Sequence, residues 1–446
     1  MIYLDAAATS PVRREVLEAM WPYLTGEFGN PSSQHGPGRS AARALDEARR
    51  TVAAWLGCKP SEVVFTSGGT EADNLAIKGI ALAAPRGRHL VRSAIEHPAV
   101  VESVEFLERV HGFEVTVVGV DAEGLVDPDA FEAALRPETT LATVMHANNE
   151  VGMVQPLASL AARAAALGVP FHTDAVQSAG WLDIRLDGPG MAGVTALSLS
   201  GHKLGAPKGI GVLALRRGLR IEPLVHGGGQ ERGLRSGTEN VAFAVGLAEA
   251  LRHLQPPITT LTSASTSTPT STPTSASNST AAPTAAPVSA GTAALRDEFI
   301  REVLERVPGA ILTGPALGRR LGAAPGASAA SDASGASGAS AAMLAGDARG
   351  GADARLPSVA SFCFPGMSGE SILLQLEERG VVVSSGSACA AGSDDPSPVL
   401  LALGIAPDVA QTAVRFTLTP ATTAADLHAA ATALEAALAD IRALAP

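Results

Sequence analysis

One lysine stands where a reactive amine is expected in an enzyme. Lys203 closes the small, polar run 198–202 and precedes a glycine-rich turn and the apolar segment 211–215. A lysine at the end of a strand can point into a cleft and lose its charge by burial, and the neutral amine can form a Schiff base with an aldehyde. A lone lysine of this kind is more often a solvated loop residue. The chemical interpretation therefore depends on what the rest of the chain contains.

A glycine-rich turn would suit the phosphate of an aldehyde cofactor such as pyridoxal phosphate. Residues 62–66 are typical of a buried strand, Ser67-Gly68-Gly69-Thr70 of a tight turn, and residues 71–83 of a helix. Exposed backbone N–H groups and the helix dipole both favour an anion at such a turn. It is not a Walker loop, because no Gly-Lys-Ser/Thr follows the glycines. A purely structural turn would have the same pattern, so both interpretations stay open here.

Strand and helix patterns alternate over the first half of the chain. We predict strands at 2–5, 62–66, 89–91, 113–118, 140–146, 169–173, 194–200 and 211–215, and helices at 12–23, 38–56, 71–83, 127–135 and 157–167. This alternation is typical of an α/β protein with a mostly parallel sheet, whose ligands bind outside the carboxyl ends of the strands. The polar residues at those ends are Thr70, Asn149, Asp174, Gln177, Ser200, His202 and Lys203.

Length, charge and cysteine content exclude several classes of protein. A chain of 446 residues is too long for one small core, so we expect two domains. The net charge of -11 argues against direct nucleic-acid binding. Cys58, Cys363 and Cys389 are far apart, which predicts no disulfide framework and fits a reducing cytoplasm. We see no signal peptide and no apolar run of membrane-spanning length.

The second half of the chain predicts a smaller α+β domain interrupted by low-complexity sequence. Residues 254–295 are mostly Ser, Thr, Ala and Pro, and residues 322–353 are rich in Ala, Gly and Ser, so we predict two disordered insertions. Helices are expected at 296–307, 368–379 and 427–444, and strands at 310–312, 358–364, 381–383 and 413–418. The predicted domains are a large one at 15–253 and a small one formed by 1–14 and 296–446.

The chain resembles a known family along nearly its whole length outside the insertions. The matching motifs are Thr66-Ser67-Gly68-Gly69-Thr70-Glu71, Glu96-His97, Asn148-Asn149-Glu150-Val151-Gly152, His172-Thr173-Asp174-Ala175-Val176-Gln177-Ser178, Ser200-Gly201-His202-Lys203, Gly227-Gly228-Gly229-Gln230-Glu231, Arg235-Ser236-Gly237-Thr238 and Ser384-Ser385-Gly386-Ser387-Ala388-Cys389. In this order they resemble the cysteine desulfurases of the NifS/IscS kind, pyridoxal-phosphate enzymes of the class V aminotransferase group. The resemblance implies the α/β fold of fold-type I transferases, with a mostly parallel seven-stranded sheet in the large domain.

The resemblance assigns the cofactor chemistry to four side chains. Lys203 would hold pyridoxal phosphate as a Schiff base and later move the substrate's Cα proton. Asp174 would pair with the pyridinium nitrogen, since a carboxylate there keeps the ring protonated and makes it an electron sink. Gln177 would donate to the ring's 3-oxygen, and His97 would stack on the ring and pass protons. Taken alone, Asp174 would be a turn cap and His97 a structural histidine.

Phosphate and substrate sites follow from the same resemblance. The residues that would hold the phosphate are Gly69, Thr70, Ser200 and His202, joined by Thr238, which each subunit of a homodimer would lend to its partner. Arg415 would take the substrate carboxylate as a bidentate fork, helped by Asn149, which also belongs to the predicted cofactor site. Without this context, Arg415 would be a surface arginine at a strand end.

Cys389 decides the predicted reaction. It lies in a small-residue loop, and a free thiol is only partly ionised at neutral pH, so local activation is expected. Its thiolate would attack the sulfur of L-cysteine, leaving L-alanine and a persulfide. The stretch 390–398 resembles the longer loops of the family, which favours sulfur delivery to an iron–sulfur scaffold protein, with tRNA thiolation as another outlet. An inert loop thiol is the alternative, as we expect for Cys58 and Cys363.

Three other functions stay open at this point. An aminotransferase or selenocysteine lyase would share Lys203 and Asp174 but would not need Cys389. A non-catalytic sulfur carrier or regulatory protein would keep the fold for partner binding, and its Lys203 would bind no cofactor. A metal protein is the weakest alternative, because the histidines lack ligand spacing, and we predict no metal ligands.

Overall fold

The computed structural model describes residues 1–83, 85–254, 288–321, 352–386 and 395–444. Cys389 and most of both low-complexity insertions lie outside the described residues. The strands are β1 (Ile2–Tyr3), β2 (Val63–Thr66), β3 (His89–Ser93), β4 (Glu114–Val118), β5 (Thr139–Thr143), β6 (Phe171–Asp174), β7 (Ala196–Ser200), β8 (Gly211–Leu215), β9 (Ile311–Leu312), β10 (Val359–Cys363), β11 (Val381–Val382) and β12 (Val414–Thr417).

The helices lie between and after these strands. They are α1 (Arg14–Thr25), α2 (Gly36–Leu56), α3 (Gly69–Ala83), α4 (Pro98–His111), α5 (Pro128–Ala134), α6 (Leu157–Ala166), α7 (Val241–Arg252), α8 (Val288–Arg306), α9 (Gly369–Glu378), α10 (Pro398–Ala402), α11 (Pro407–Ala410) and α12 (Ala424–Leu444). Among the helices of the described ranges, none combines the length and the apolar content that crossing a bilayer requires.

A seven-stranded sheet forms the centre of the fold, in the order β2-β8-β7-β6-β5-β3-β4. Strand β8 runs in the direction opposite to the other six strands of this sheet. Alternate side chains of a strand point to opposite faces, so Val63 and Phe65 of β2 pack into one core while Val64 packs into another. Helices α1, α2, α5, α6 and α7 cover the first face, and α3 and α4 cover the second. The mostly parallel seven-stranded sheet predicted from the sequence is therefore confirmed.

The remaining strands form two small sheets. In one, β10 pairs antiparallel with both β12 and β9, and in the other β1 pairs parallel with β11. Phe299 of α8 packs edge-on against Phe362 and Phe416, with ring centroids 6.3 and 5.1 Å apart, in a core that also contains Leu4. The first residues of the chain thus pack with its C-terminal part. The domain boundaries at residues 15, 253 and 296 stay a prediction.

Helix α8 corrects one boundary of the sequence analysis. We placed its start at Arg296 and the end of the disordered insertion at Leu295, but the helix begins at Val288. Alanine is the strongest helix former, and the sequence before Arg296 contains several. Thr292 is buried and Leu295 packs against the C-terminal core, so burial stabilises this extension as well. An uncharged, alanine-containing stretch is therefore compatible with a helix here, and the absence of charge was not a sign of disorder up to Leu295.

The end of the second insertion is also ordered by contacts. Asp353, which we had included in the disordered segment, bridges to Arg320 and accepts from Arg296 at 3.1 Å. Helix α7, for which we predicted no bounds, is apolar on most sides because it packs against both α1 and α2. An all-round apolar helix has no amphipathic period to detect.

Candidate active site

A cavity of about 560 Å³ opens at the carboxyl ends of the central strands. It lies where the chain leaves β2, β6 and β7, the place that a parallel sheet favours for ligands. The residues lining it include Gly69, Thr70, His97, Asn149, Asp174, Gln177, Ser200, His202, Lys203 and Arg415. Ten positions that the sequence predicted as site residues therefore surround one space. A second cavity adjoins it and shares Ala7, Val176, Gln177 and Lys203.

Lys203 is held by the turn that follows β7. A single 3₁₀ turn over Gly201–Lys203 places the lysine in the cavity wall. Gly201 is needed there, because a Cβ at this position would lie 2.7 Å from Cγ2 of Ile210. The Lys203 Nζ donates to the backbone oxygens of Ala7 and, at 2.9 Å, Ala8. The N-terminal segment therefore forms part of the amine's surroundings.

Asp174 ends β6 and forms the floor of the cavity. Its side chain accepts from the Val176 amide at 2.8 Å, and the residue is only 5% exposed. Burial raises the pKa of Asp174, opposed by the positive charges of His97 and Lys203. Asp73 of α3 lies close by, and burial raises its pKa well above the usual value, followed by the charge of Asp174. A buried carboxyl pair of this kind favours a cation, such as a protonated ring nitrogen, placed against it.

His97 and Gln177 are fixed by backbone contacts on either side of the cavity. His97 caps α4, with its Nδ1 accepting from the Ala99 amide at 3.0 Å. In the neutral ring, the hydrogen is therefore on Nε2. Gln177 donates through Nε2 to the backbone oxygen of Ala7 at 3.1 Å. Both side chains thus have a set orientation at the cavity wall, where a planar ligand would contact them.

The amino end of α3 supplies the anion-binding element. This 15-residue helix begins at Gly69, where a Cβ would lie 2.8 Å from Cγ2 of Val176. Its dipole and its first N–H groups favour a phosphate. His202 completes this wall as a neutral imidazole, because burial, then Lys203 and Lys208, lower its pKa to about 4. Its Nδ1 lies 3.1 Å from Oγ1 of Thr9.

Arg415 closes the opposite side of the cavity from β12. The residue is only 1% exposed. Its Nη1 donates to the backbone oxygens of Asn149 at 3.0 Å and Gly386 at 3.2 Å, and its Nη2 donates to Oδ1 of Asp5 at 3.0 Å. Asn149 therefore meets Arg415 through its backbone. A guanidinium held in this way can bind a carboxylate.

Two predicted site residues do not line this cavity. Thr238 is exposed and lines a separate cavity of about 240 Å³. That cavity shares Ser67 and Gly209 with the main one, so Thr238 lies beyond its phosphate wall. Cys389 lies outside the described residues. The last described residue before it is Gly386, the one that contacts Arg415.

Several acidic residues at the site received no role from the sequence. Glu150 lines the cavity, accepts from Ser397 at 2.5 Å, and has a pKa raised by burial. Asp5 contacts Arg415, and Glu96 lies behind the floor. Glu96 and Glu150 stand inside matching motifs, which was the signal available, whereas Asp5 lies in none of these motifs. Asp73 gave none, because an acidic residue on a helix usually faces solvent.

The structure also brings together a group that sequence spacing could not show. Ligand atoms of Asp73, His97 and Asp174 lie within 4.8 Å of one another and could hold a metal ion. Two of these three residues are the ones predicted to contact the cofactor ring. The comparisons below favour the cofactor as the occupant of this space.

Comparison with known proteins defines the class. The model of the aminotransferase class-V family matches residues 2–267 and 347–429. The chain is 40% identical to the cysteine desulfurase IscS of Dictyoglomus turgidum, over 100% of this chain and 96% of the relative. It is 38% identical to a cysteine desulfurase of Cereibacter sphaeroides, over 100% and 97%. A solved NifS-like protein superposes with a TM-score of 0.77 at 29% identity, covering 98% of this chain and 99% of that one.

The chain therefore belongs to the cysteine desulfurases within the aminotransferase class V family. The resemblance and the fold-type I α/β architecture predicted from the motifs are confirmed. Enzymes of this group depend on pyridoxal phosphate, and the cavity fits that cofactor. Carboxyl groups form the floor of the cavity, and the amino end of α3 forms another part of its wall. Gly69 leaves room there that a Cβ would fill. Lys203 lines the same cavity.

Proposed function

We propose that this chain is a cysteine desulfurase that converts L-cysteine to L-alanine and transfers the sulfur to Cys389. The observation that carries the proposal is the single cavity lined by Lys203, Asp174 and Arg415. These supply an amine, a carboxyl floor and a carboxylate-binding cation. The backbone oxygen of Gly386, three positions before Cys389 in the sequence, accepts a hydrogen bond from Nη1 of Arg415. The cysteine-bearing segment therefore starts at the substrate side of the site.

The side chains divide the work around bound pyridoxal phosphate. The cofactor supplies a ring that accepts the electrons left at the substrate Cα. Lys203 Nζ holds the cofactor and takes the Cα proton, returning it later. Asp174 would pair with the ring nitrogen and stabilise its proton. Gln177 would donate to the 3-oxygen, and His97 would contact the ring and exchange protons through Nε2.

Binding of the two charged ends completes the arrangement. The residues that hold the phosphate are Gly69, Thr70, Ser200 and His202. Arg415 orients the substrate carboxylate, with Asn149 beside it. Because His202 is a neutral ring at pH 7, it would contribute a hydrogen bond but no charge to the phosphate, and the favourable electrostatics would come from the amino end of α3.

Sulfur transfer is a displacement between two thiols. The Cys389 thiolate forms a bond to the substrate Sγ, and the Cβ–Sγ bond breaks. The electron pair of the broken Cβ–Sγ bond goes to Cβ, which is then protonated. The products are L-alanine and a Cys389 persulfide. No external oxidant is needed, because one carbon–sulfur bond is exchanged for one sulfur–sulfur bond and the substrate carbon is reduced.

The wider setting of the reaction is also a proposal. We infer a homodimer in which Thr238 reaches the partner's phosphate site, supported by its exposure beyond the phosphate wall. Light scattering after size exclusion tests the dimer, and a monomer would contradict it. The acceptor is an iron–sulfur scaffold protein or a tRNA-thiolation protein. A cytoplasmic location suits a mechanism that needs a reduced thiol.

The test combines absorbance, product analysis and mass spectrometry. Protein loaded with pyridoxal phosphate should absorb near the visible Schiff-base band and release alanine from L-cysteine. Cys389→Ala should keep the band and lose alanine release, whereas Cys58→Ala, which removes a half-buried thiol elsewhere, should keep both. Wild type given L-cysteine alone should gain the mass of one sulfur atom. A coloured protein unaffected by Cys389→Ala would favour an aminotransferase or lyase, and one that binds no cofactor would favour partner binding.

A further inference from the structure

The hydrogen-bond donors of Arg415 can be counted to find how many are already used within the protein before substrate binds. A guanidinium has five N–H donors. Three contacts within the described residues use Nη1 twice and Nη2 once, to Asn149, Gly386 and Asp5. The Nε atom is buried and has no partner among the described residues. Two donors therefore remain, Nε–H and one hydrogen of Nη2.

These two donors match a carboxylate. Nε–H and an Nη2 hydrogen lie on the same edge of a guanidinium, and a planar fork of this kind binds both oxygens of one carboxylate. An unpaired buried donor costs free energy unless a ligand satisfies it. Arg415 lines the main cavity, so its guanidinium borders the space in which a ligand would lie.

Asp5 reaches Arg415 from the far end of the sequence on a firmly held segment. Leu4 is fully buried, and its amide donates to the Val382 oxygen at 2.8 Å, beside the pairing of β1 with β11. Asp5 itself bridges to Thr417 of β12. Its carboxylate is thus fixed against the strand that carries Arg415, two positions from that residue.

We propose that Asp5 is a positioning residue for the substrate's α-carboxylate, holding the Arg415 guanidinium so that its two remaining donors face the cavity as a fork. This inference rests on the proposed function, because it takes L-cysteine as the ligand. It implies that substrate is recognised by a three-part arrangement of Asp5, Arg415 and one carboxylate. The ion pair also lowers the cost of keeping a guanidinium buried before substrate binds.

Asp5 can act on the substrate in two opposite ways. The direction in which KM for L-cysteine changes when Asp5 is replaced separates them. As a positioning group, it raises affinity for the substrate carboxylate. As a nearby negative charge, it repels that carboxylate. Asp5 is the carboxylate paired with Arg415 among the described residues, and the Arg415 guanidinium offsets its negative charge. In our proposal the positioning effect exceeds the repulsion.

The test compares two substrates that differ only in the carboxylate. Alanine or alaninamide release is measured for wild type and Asp5→Asn holoenzyme, with L-cysteine and with L-cysteinamide. For L-cysteine, Asp5→Asn should raise KM about 10-fold and leave kcat within about twofold, as expected for lost ground-state binding through a charge-assisted contact. For the amide, KM should not change. Cofactor absorbance should be equal in both proteins.

A matched control exists in the same fold. Asp353 pairs with Arg296 at 3.1 Å, and Arg296 is also 1% exposed, but neither residue lines the main cavity. Asp353→Asn should leave KM for both substrates unchanged. If Asp5→Asn fails to fold, Asp5→Glu, which keeps the charge but displaces the guanidinium, should show the same KM rise for L-cysteine alone.

Several results would overturn the inference. These are an unchanged or lower KM for L-cysteine, or an equal change with the amide, because a general structural defect affects both substrates. A wild-type holoenzyme that releases no alanine would instead refute the proposed function. The two failures are therefore distinguishable.

Discussion

Replacing Glu96 with glutamine should make the protein's stability less dependent on pH. Glu96 is 5% exposed, and its Oε1 accepts from the Met145 amide at 2.9 Å and from the Ser93 hydroxyl. Its Oε2 is buried without a hydrogen-bond partner among the described residues. Burial is the main cause that raises the pKa of Glu96 from 4.5 to about 7. The folded protein therefore favours the neutral acid.

The sign and size of the effect follow from proton linkage. The folded-state pKa lies above the unfolded one, so this group's contribution to stability is fully present below pH 4.5 and is lost as the pH rises through about 7. Between pH 5 and pH 8 the loss is about 2 to 3 kcal/mol. Glutamine does not titrate, and its Oε1 can accept the same two hydrogen bonds. The free energy of unfolding of Glu96→Gln minus that of wild type should therefore rise by this amount over the same range.

Urea unfolding at pH 5 and pH 8, on protein in one cofactor state, measures this difference. Glu105→Gln is the matched control, because Glu105 is an exposed residue of α4. Its difference from wild type should be flat with pH. A flat difference for Glu96→Gln as well would refute the reasoning, since it would mean that Glu96 titrates in the folded protein as it does in the unfolded chain.

Three further substitutions test other parts of the structure. Gly69→Ala places a Cβ 2.8 Å from Val176, so pyridoxal-phosphate affinity in equilibrium dialysis should fall at least about 10-fold, as for a misplaced binding group; unchanged affinity would contradict the close approach. Glu231→Gln breaks the bidentate pair with buried Arg49, and the free energy of unfolding in urea should drop by about 3 kcal/mol; an unmoved midpoint would refute it. Asp174→Asn should lower kcat at least about 100-fold at saturating cofactor, through lost electrostatic stabilisation; near-normal turnover would show that the floor carboxylate is not used.

The meeting of polar residues at one edge of the sheet could be predicted from the sequence for a physical reason. Parallel strands end at one edge of a sheet, so polar residues that follow buried strands must meet there. Asp174 ends β6 and Ser200 ends β7, and both line the cavity. The strand bounds differ from the predicted ones by a few residues, as at β5, where the apolar run continues beyond Thr143 into the loop that carries Asn149.

The features of the site that the sequence could not predict depend on contacts between distant segments. Asp5 and Arg415 are separated by 410 positions, and no local pattern couples them. Asp73 looks like a solvent-facing helical residue until the packing of α3 against β6 and β7 buries it. Thr238 lies outside the cavity of a single chain, so its predicted role depends on a second subunit.

The charges around the cavity are segregated, and this polarity favours one orientation of the cofactor. Burial, the leading cause in each case, lowers the pKa of the nearby histidines, which leaves their rings neutral at pH 7: His146 to about 4, His172 to about 3 and His202 to about 4. Asp73 and Asp174, buried carboxyls with raised pKa values, form the floor, with Glu96 behind them. The amino end of α3 and Lys208 form the anion side, where the charge of Glu71 is paired with Arg235. A ligand with a cationic ring nitrogen at one end and a phosphate at the other is stabilised in one direction and destabilised in the reverse. We therefore expect the fold to orient the cofactor electrostatically before Lys203 bonds to it.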